Sequence, residues 1–291
     1  MLSKLFVSNR VRRCLGVAIV QTKPNKSRYT NHPDFSLRTL RINTGWSLES
    51  TSPALRWADR AQPPRCFMRV VIAPDSFKEC ASASVVAQAI SWGVRGVLPE
   101  AAIVCVPMAD GGEGTLDAVL SAIEGRRVRA QCRGPLGEAR EAEYGLFEGG
   151  RTALVEMAAA CGLALVPREK RNPGATTTLG LGDLIRHALD RGVDRVIIGL
   201  GGSATNDAGA GMARALGYRL LDGGGRELGV GGLALHGLAR IDATNAHPRI
   251  REVAFVGACD VTNRLCGPRG ASFMYGAQKG ADAKMMAELE H

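Results

Sequence analysis

Aromatic residues make up only 5% of the chain, too few for the stacking platforms on which proteins bind single-stranded nucleic acid. No apolar run approaches the roughly 18–20 residues that cross a bilayer, which excludes a membrane-spanning helix. No two of the 8 cysteines have the two-residue spacing of a zinc knuckle or a redox dithiol. Several lie in apolar runs such as Ile103-Val104-Cys105-Val106, and they read as buried, reduced thiols in a reducing, cytoplasmic compartment. The histidines show no metal-ligand spacing either; His187 is expected to face solvent or cap a helix, and His236 and His247 fall in loops.

An acidic counterweight is missing from one part of the chain alone. The net charge is +9, yet residues 1–67 hold 12 Lys/Arg against 3 Asp/Glu, leaving 25 of each from Met68 onward. Counterion release on DNA needs basic charge on the folded body. The body has none in excess, so nucleic acid is not an expected partner.

At 291 residues the chain has room for one large domain or two ordinary ones. Residues 1–67 show no sustained apolar period and are expected to be a disordered or non-native extension. Their Arg-rich, acid-poor composition fits a transit peptide, a functional basic arm, or a start site that truly lies at Met68. From Met68 the pattern changes. Arg69 to Ala73 is an apolar strand, Ser82 to Leu98 repeats at helical spacing with Ser82 or Ser84 as N-cap, and Ile103 to Met108 is a second buried strand. A helix from Leu116 to about Glu124, closed by Gly125, completes a βαβα alternation, the mark of a parallel sheet covered by helices.

Further strands are expected at Glu141–Leu146, Thr152–Val155, Val196–Leu200 and Val253–Cys259, with helices at Glu156–Cys161, Leu179–Leu189 and Ala210–Leu216. The fold class is therefore α/β. Residues 68–130 read as the beginning of a first α/β domain and 131–291 as a second.

Four apolar strands end directly in polar or Gly-rich turns, and in open α/β sheets ligands bind outside such carboxyl ends. These turns carry Asp75 and Ser76 with Lys78; Asp110, Gly111, Gly112, Glu113, Gly114 and Thr115; Gly201, Gly202, Ser203, Ala204, Thr205, Asn206 and Asp207; and Asp260 to Asn263. Glycines let backbone N–H groups approach a ligand, and a following helix offers its positive end. Gly199 to Thr205 is thus a candidate phosphate cradle, although it matches neither the Walker nor the dinucleotide pattern. A tight turn that binds nothing is the competing reading. At Asp110 to Thr115 the competing reading is a helix start capped by Thr115 or Glu113. Phosphoryl transfer also needs cations, a metal held by carboxylates, and a group to orient the attacking hydroxyl. Lys78, Arg269 and Lys279 are candidate cations, and one or two carboxylates would suffice for Mg²⁺.

Six segments, in order, carry a resemblance. Ile72-Ala73-Pro74-Asp75-Ser76-Phe77-Lys78-Glu79, Ala109 to Thr115, Glu156-Met157-Ala158-Ala159-Ala160, Gly201 to Gly209, Ala258-Cys259-Asp260-Val261 and Gln278-Lys279-Gly280-Ala281 resemble the bacterial glycerate kinase family. The resemblance runs from Met68 to the last residue. It implies two α/β domains, the first flavodoxin-like and incomplete here, with a cleft between them. It also implies ATP-dependent phosphorylation of D-glycerate, at the 2-hydroxyl, with Mg²⁺. Lys78, Asp75 and Asp207 are then assigned catalytic roles. Ser76, Gly111, Gly112, Glu113, Gly201, Gly202, Ser203, Thr205 and Lys279 are assigned to substrate or ATP, and Asp110 and Asp260 to the metal. Two departures stand out. Ala277 replaces the family's usual proline, and two Gly-rich blocks that follow in the family are absent, so this chain is expected to be inactive alone. A non-catalytic module holding a phosphorylated metabolite is the alternative.

Overall fold

A computed structural model describes residues 17–20, 68–77 and 80–291. In chain order its main elements are β1 (Val17–Val20), β2 (Arg69–Ile72), α1 (Ala83–Val97), β3 (Ala102–Cys105), α2 (Thr115–Ala122), β4 (Gly125–Arg133), β5 (Ala139–Phe147), β6 (Thr152–Glu156) and α3 (Met157–Cys161). There follow α4 (Leu179–Asp190), β7 (Arg195–Gly199), α5 (Ala210–Ala215), β8 (Arg219–Leu221), β9 (Arg240–Asp242), β10 (Ala254–Ala258), α6 (Ala271–Tyr275) and α7 (Ala283–Glu290). Strands and helices alternate over most of the chain, as an α/β fold requires.

The first sheet is parallel, in the order β1-β2-β3. Its outer strand Val17–Val20 lies within the segment for which the sequence suggests no element. The other residues before Met68 lie outside the described residues. α1 starts where a hydroxyl can cap it: Ser82 accepts the Val85 N–H at 3.3 Å. Its inner face closes a small core of Val70, Ile72 and Ala87, while Trp92 on the opposite face is 82% exposed.

The second sheet is mixed, in the order β10-β7-β6-β5-β4, with β10, β7 and β6 parallel and β5 and β4 antiparallel. Gly125, expected to close a helix, instead opens β4. Residues 125–133 alternate, with Val128, Ala130 and Cys132 buried and Arg127 and Arg129 outward against Glu143. β4 spans residue 130, the expected end of the first region, and pairs within the second sheet.

Helix α4 explains the main core. Leu181, Leu184, Ile185 and Ala188 recur at helical spacing and are all fully buried. They meet Ala153, Val155, Val196 and Ile198 from one face of the sheet. The alternate strand residues Leu154 and Ile197 point to the other face and pack with Leu116, Val119 and Leu120 of α2. Thus α2, reached by a loop from the first sheet, covers the second one.

Of the six cysteines described, only Cys132 and Cys161 are buried; Cys80, Cys105, Cys259 and Cys266 are exposed. This corrects the expectation of buried thiols throughout. The apolar runs of β3 and β10, outer strands among the described residues, are largely exposed, so an apolar run does not by itself bury a thiol there. His187 likewise does not simply face solvent: its Nδ1 lies 3.1 Å from the hydroxyl of the fully buried Tyr144.

Candidate functional site

The carboxyl ends of β2 and β3 stay paired beyond the strands. Val106 N–H donates to the Ile72 carbonyl and Met108 N–H to that of Pro74, both at 2.8 Å. Asp75 and Asp110 therefore leave the same end of the first sheet. Asp75 takes up the amide of Ser76 at 2.6 Å, and Asp110 takes up that of Gly112 at 3.0 Å. Lys78 lies outside the described residues.

The two Gly-rich turns lie against each other, backbone to backbone. Gly201 N–H donates to the Gly111 carbonyl at 3.1 Å. A Cβ on Gly199 would come within 2.5 Å of that same oxygen. One on Gly111 would come within 2.6 Å of the Ala258 carbonyl, so the end of β10 joins the seam and Asp260 follows two residues later. Gly201 and Gly111 thus serve the close approach of two turns. Gly202, at φ 74°, is the glycine of the pair that stays exposed.

Both helix starts beside these turns are already occupied by carboxylates. Gly114, in the left-handed conformation, caps α2 without a side chain. Glu156, from the last position of β6, reaches across and accepts the Leu116 N–H at 2.6 Å. Neither Thr115 nor Glu113 provides that cap; the Thr115 hydroxyl donates to the Gly112 carbonyl at 2.8 Å. Glu156 is only 9% exposed. Burial pushes its pKa up, against the pull of the Leu116 hydrogen bond, with the charges of Asp117 and Glu113 adding to the rise.

Asp207 is 1% exposed. One oxygen accepts the Thr178 N–H and hydroxyl, both at 2.9 Å, and the Gly211 N–H at 3.1 Å; the other accepts the Gly209 N–H at 3.2 Å. This carboxylate ties the start of α4 to the start of α5, a structural role beside the catalytic one that the resemblance implies. Beside it Ala208 is held at φ 48°, a conformation unusual for a residue with a Cβ.

Among the described residues, the site holds a buried cation in Lys279, 8% exposed. It follows α6, and its Nζ donates to Ser203 Oγ at 2.9 Å and to the Thr205 carbonyl at 2.6 Å. Burial pulls its pKa down to about 8, while the charge of Asp207 works in the opposite direction. A buried ammonium on two neutral oxygens leaves positive charge on the Gly201–Thr205 turn. Glu113 and Asp260 are exposed beside the seam. No group of three or more His, Cys, Asp or Glu among the described residues is arranged to hold a metal. Asp110 and Asp260 nevertheless offer hard oxygen donors, which suits an ion that keeps several waters.

Glu156 opens one of the six segments that carry the family resemblance, but no role is read from it there, and Thr178 belongs to no motif. A carboxylate ending an otherwise apolar strand is the further sequence signal for the first. The second stands in an ordinary Thr run, where Thr178 Oγ1 also accepts the Met212 N–H at 2.9 Å. A groove of about 620 Å³ bordered by Arg133, Arg214, Tyr218 and Arg219 contains none of the candidate residues. Its arginines are paired with Asp183, Glu227 and Asp242.

Two Gly-rich strand-end turns and a buried lysine define an α/β protein with a polar site at the carboxyl ends of its parallel strands. Residues 70–291 match the model of the glycerate kinase family, and the chain belongs to that family. It is 52% identical over 224 residues to the glycerate 2-kinase of Escherichia coli strain K12, covering 77% of this chain and 59% of that one. It is 53% identical over 223 residues to the glycerate kinase of Bacillus subtilis strain 168, covering 77% and 58%. A solved structure from Salmonella typhimurium LT2 that carries the name glycerate kinase 2 matches with a TM-score of 0.66 and 50% identity, over 77% of this chain and 60% of that one. The chain therefore spans about three fifths of the length of these relatives.

Proposed function

We propose that this chain supplies the phosphate-binding part of a kinase that transfers a phosphoryl group from ATP to the 2-hydroxyl of D-glycerate. The observation that carries the reading is the placement of buried Lys279 on the Ser203–Thr205 turn, next to the seam with the Asp110–Gly112 turn. Phosphoryl transfer depends on positioning and on compensating phosphate charge. Lys279 compensates charge from beneath the turn, and the exposed Gly202 leaves room for a phosphate above it. Asp110 or Asp260 would hold Mg²⁺, which when bound neutralises charge on the phosphates. Asp75, at the neighbouring strand end, and Lys78 keep the catalytic assignments that the resemblance implies, and Ser76 is assigned to the substrate. The names of the relatives from E. coli and B. subtilis support the substrate, and the former supports the 2-position.

The test is ADP release with and without D-glycerate, with ³¹P NMR of the product. It is run on this chain and on a version carried to the length of its relatives. Glycerate-dependent release by the longer form, yielding 2-phosphoglycerate, is the expected result. ATP binding without glycerate-dependent release in either form would favour a non-catalytic phosphometabolite-binding module.

A further inference from the structure

We propose that Glu156 is a positioning residue: its carboxylate fixes the start of α2, and through it the Asp110–Gly114 turn, against the Gly199–Gly201 backbone. Three observations converge on this residue. Its Oε1 accepts the Leu116 N–H at 2.6 Å, an amide that the left-handed Gly114 cap leaves without a side-chain partner. Glu156 pairs in register with Gly199 on the neighbouring strand, and Gly199 is the residue whose Cα side presses on the Gly111 carbonyl. The same carbonyl accepts the Gly201 N–H.

One carboxylate at the end of β6 thus holds the far end of the turn while β7, one strand over, holds its middle. Leu116, the residue whose amide is captured, also buries its side chain with Leu154 of β6 and Phe147 of β5. The hydrogen bond sets the turn's height above the sheet, and the side chain sets its lateral place. A carboxylate buried at this point costs solvation, and the amide at the start of α2 offsets part of that cost. That the turn serves a nucleotide rests on the function proposed above; the clamp itself does not.

The experiment compares E156A and E156Q in the 291-residue chain, without substrate, by residue-resolved amide hydrogen exchange. Gln keeps an acceptor oxygen at the same reach and removes the charge. E156A is expected to speed exchange at Leu116 and at Gly201 at least tenfold, and E156Q to stay within about threefold of the parent. A folded E156A with unchanged exchange at Gly201 overturns the clamp. Equal loss in E156Q and E156A overturns it too, because the acceptor would then not be what matters. Should E156A fail to fold, E156Q decides: protection kept at both amides supports the proposal and protection lost at either sinks it. Calorimetry with MgATP adds a functional arm, with affinity expected to fall at least fivefold in E156A and to recover in E156Q. A parent chain that binds no ATP counts against the proposed function alone and leaves the exchange comparison to judge the clamp.

Discussion

Gly201 donates its amide hydrogen to the carbonyl of Gly111, and a side chain on Gly201 would put its Cβ 2.6 Å from the Cα of Gly112. The neighbour is backbone on a different turn, so it has little freedom to give way. G201A is therefore expected to destabilise the protein by about 1–3 kcal/mol, the usual cost of overpacking. Gly93, inside α1, has nothing within 4 Å of its would-be Cβ. G93A is expected to stabilise by about 0.5–1 kcal/mol, since alanine loses less backbone entropy in a helix. Urea midpoints measured side by side check both signs; a neutral G201A would show that the seam is loosely packed.

Lys279 gives the site a pH dependence whose direction follows from its burial. Its folded pKa, about 8, lies below the 10.5 of an exposed lysine. Above about 8 the folded protein has lost this proton while an unfolded chain still holds it. Stability from this group consequently rises with pH between about 8 and 10.5, and the burial cost is present in full below that window. Binding of an anion to the ammonium has the opposite trend. Nucleotide affinity is expected to fall by up to about tenfold per pH unit above 8. K279M should bind weakly at every pH and show no such slope. Calorimetric titrations at pH 7, 8 and 9 decide this, and a parallel slope in K279M would exclude Lys279 as its source.

Asp207 accepts four hydrogen bonds that hold two helix starts together. D207A leaves those donors buried and unmatched, at an expected cost of about 2–4 kcal/mol. Thermal unfolding measures it. A loss of turnover with undiminished stability would instead restore Asp207 to the catalytic role that its motif suggests.

Thiol accessibility separates the described cysteines. Burial pushes Cys132 up to about 11 and Cys161 up to about 12. Both should be silent to an aromatic disulfide reagent at pH 8 in the native protein, while Cys80, Cys105, Cys259 and Cys266 are exposed and should react. Mass mapping of the labelled peptides reads out each site, and rapid labelling of Cys161 would indicate that the α3–α4 core opens readily.

Most of the alternation of strands and helices was legible in the sequence, because continuous apolar runs such as Val196–Ile198 admit few other readings. The strand Gly125–Arg133 was harder to see. Its inward residues include an alanine and a cysteine, its outward ones are mostly arginines, and the glycine that opens it mimics a helix stop. The turns of the site were legible as Gly-rich strand ends. Their mutual packing was not, since nothing local in Asp110–Gly114 indicates that Gly201 will fill the space above it. The same holds for Asp207 and Glu156. A carboxylate's duty depends on which amides the fold brings within reach, and for Glu156 the amide lies 40 residues away in the chain.

The packing of α2 on the second sheet has a mechanical consequence. The turn that precedes this helix begins at the end of β3, in the first sheet, yet it is fastened to the second sheet by Leu116, Glu156 and Gly201. The turn must therefore travel with the second sheet. Val106 and Met108 in turn stay with the first sheet through Ile72 and Pro74. Only Ala109 and Asp110 thus separate a segment fastened to one sheet from a turn fastened to the other.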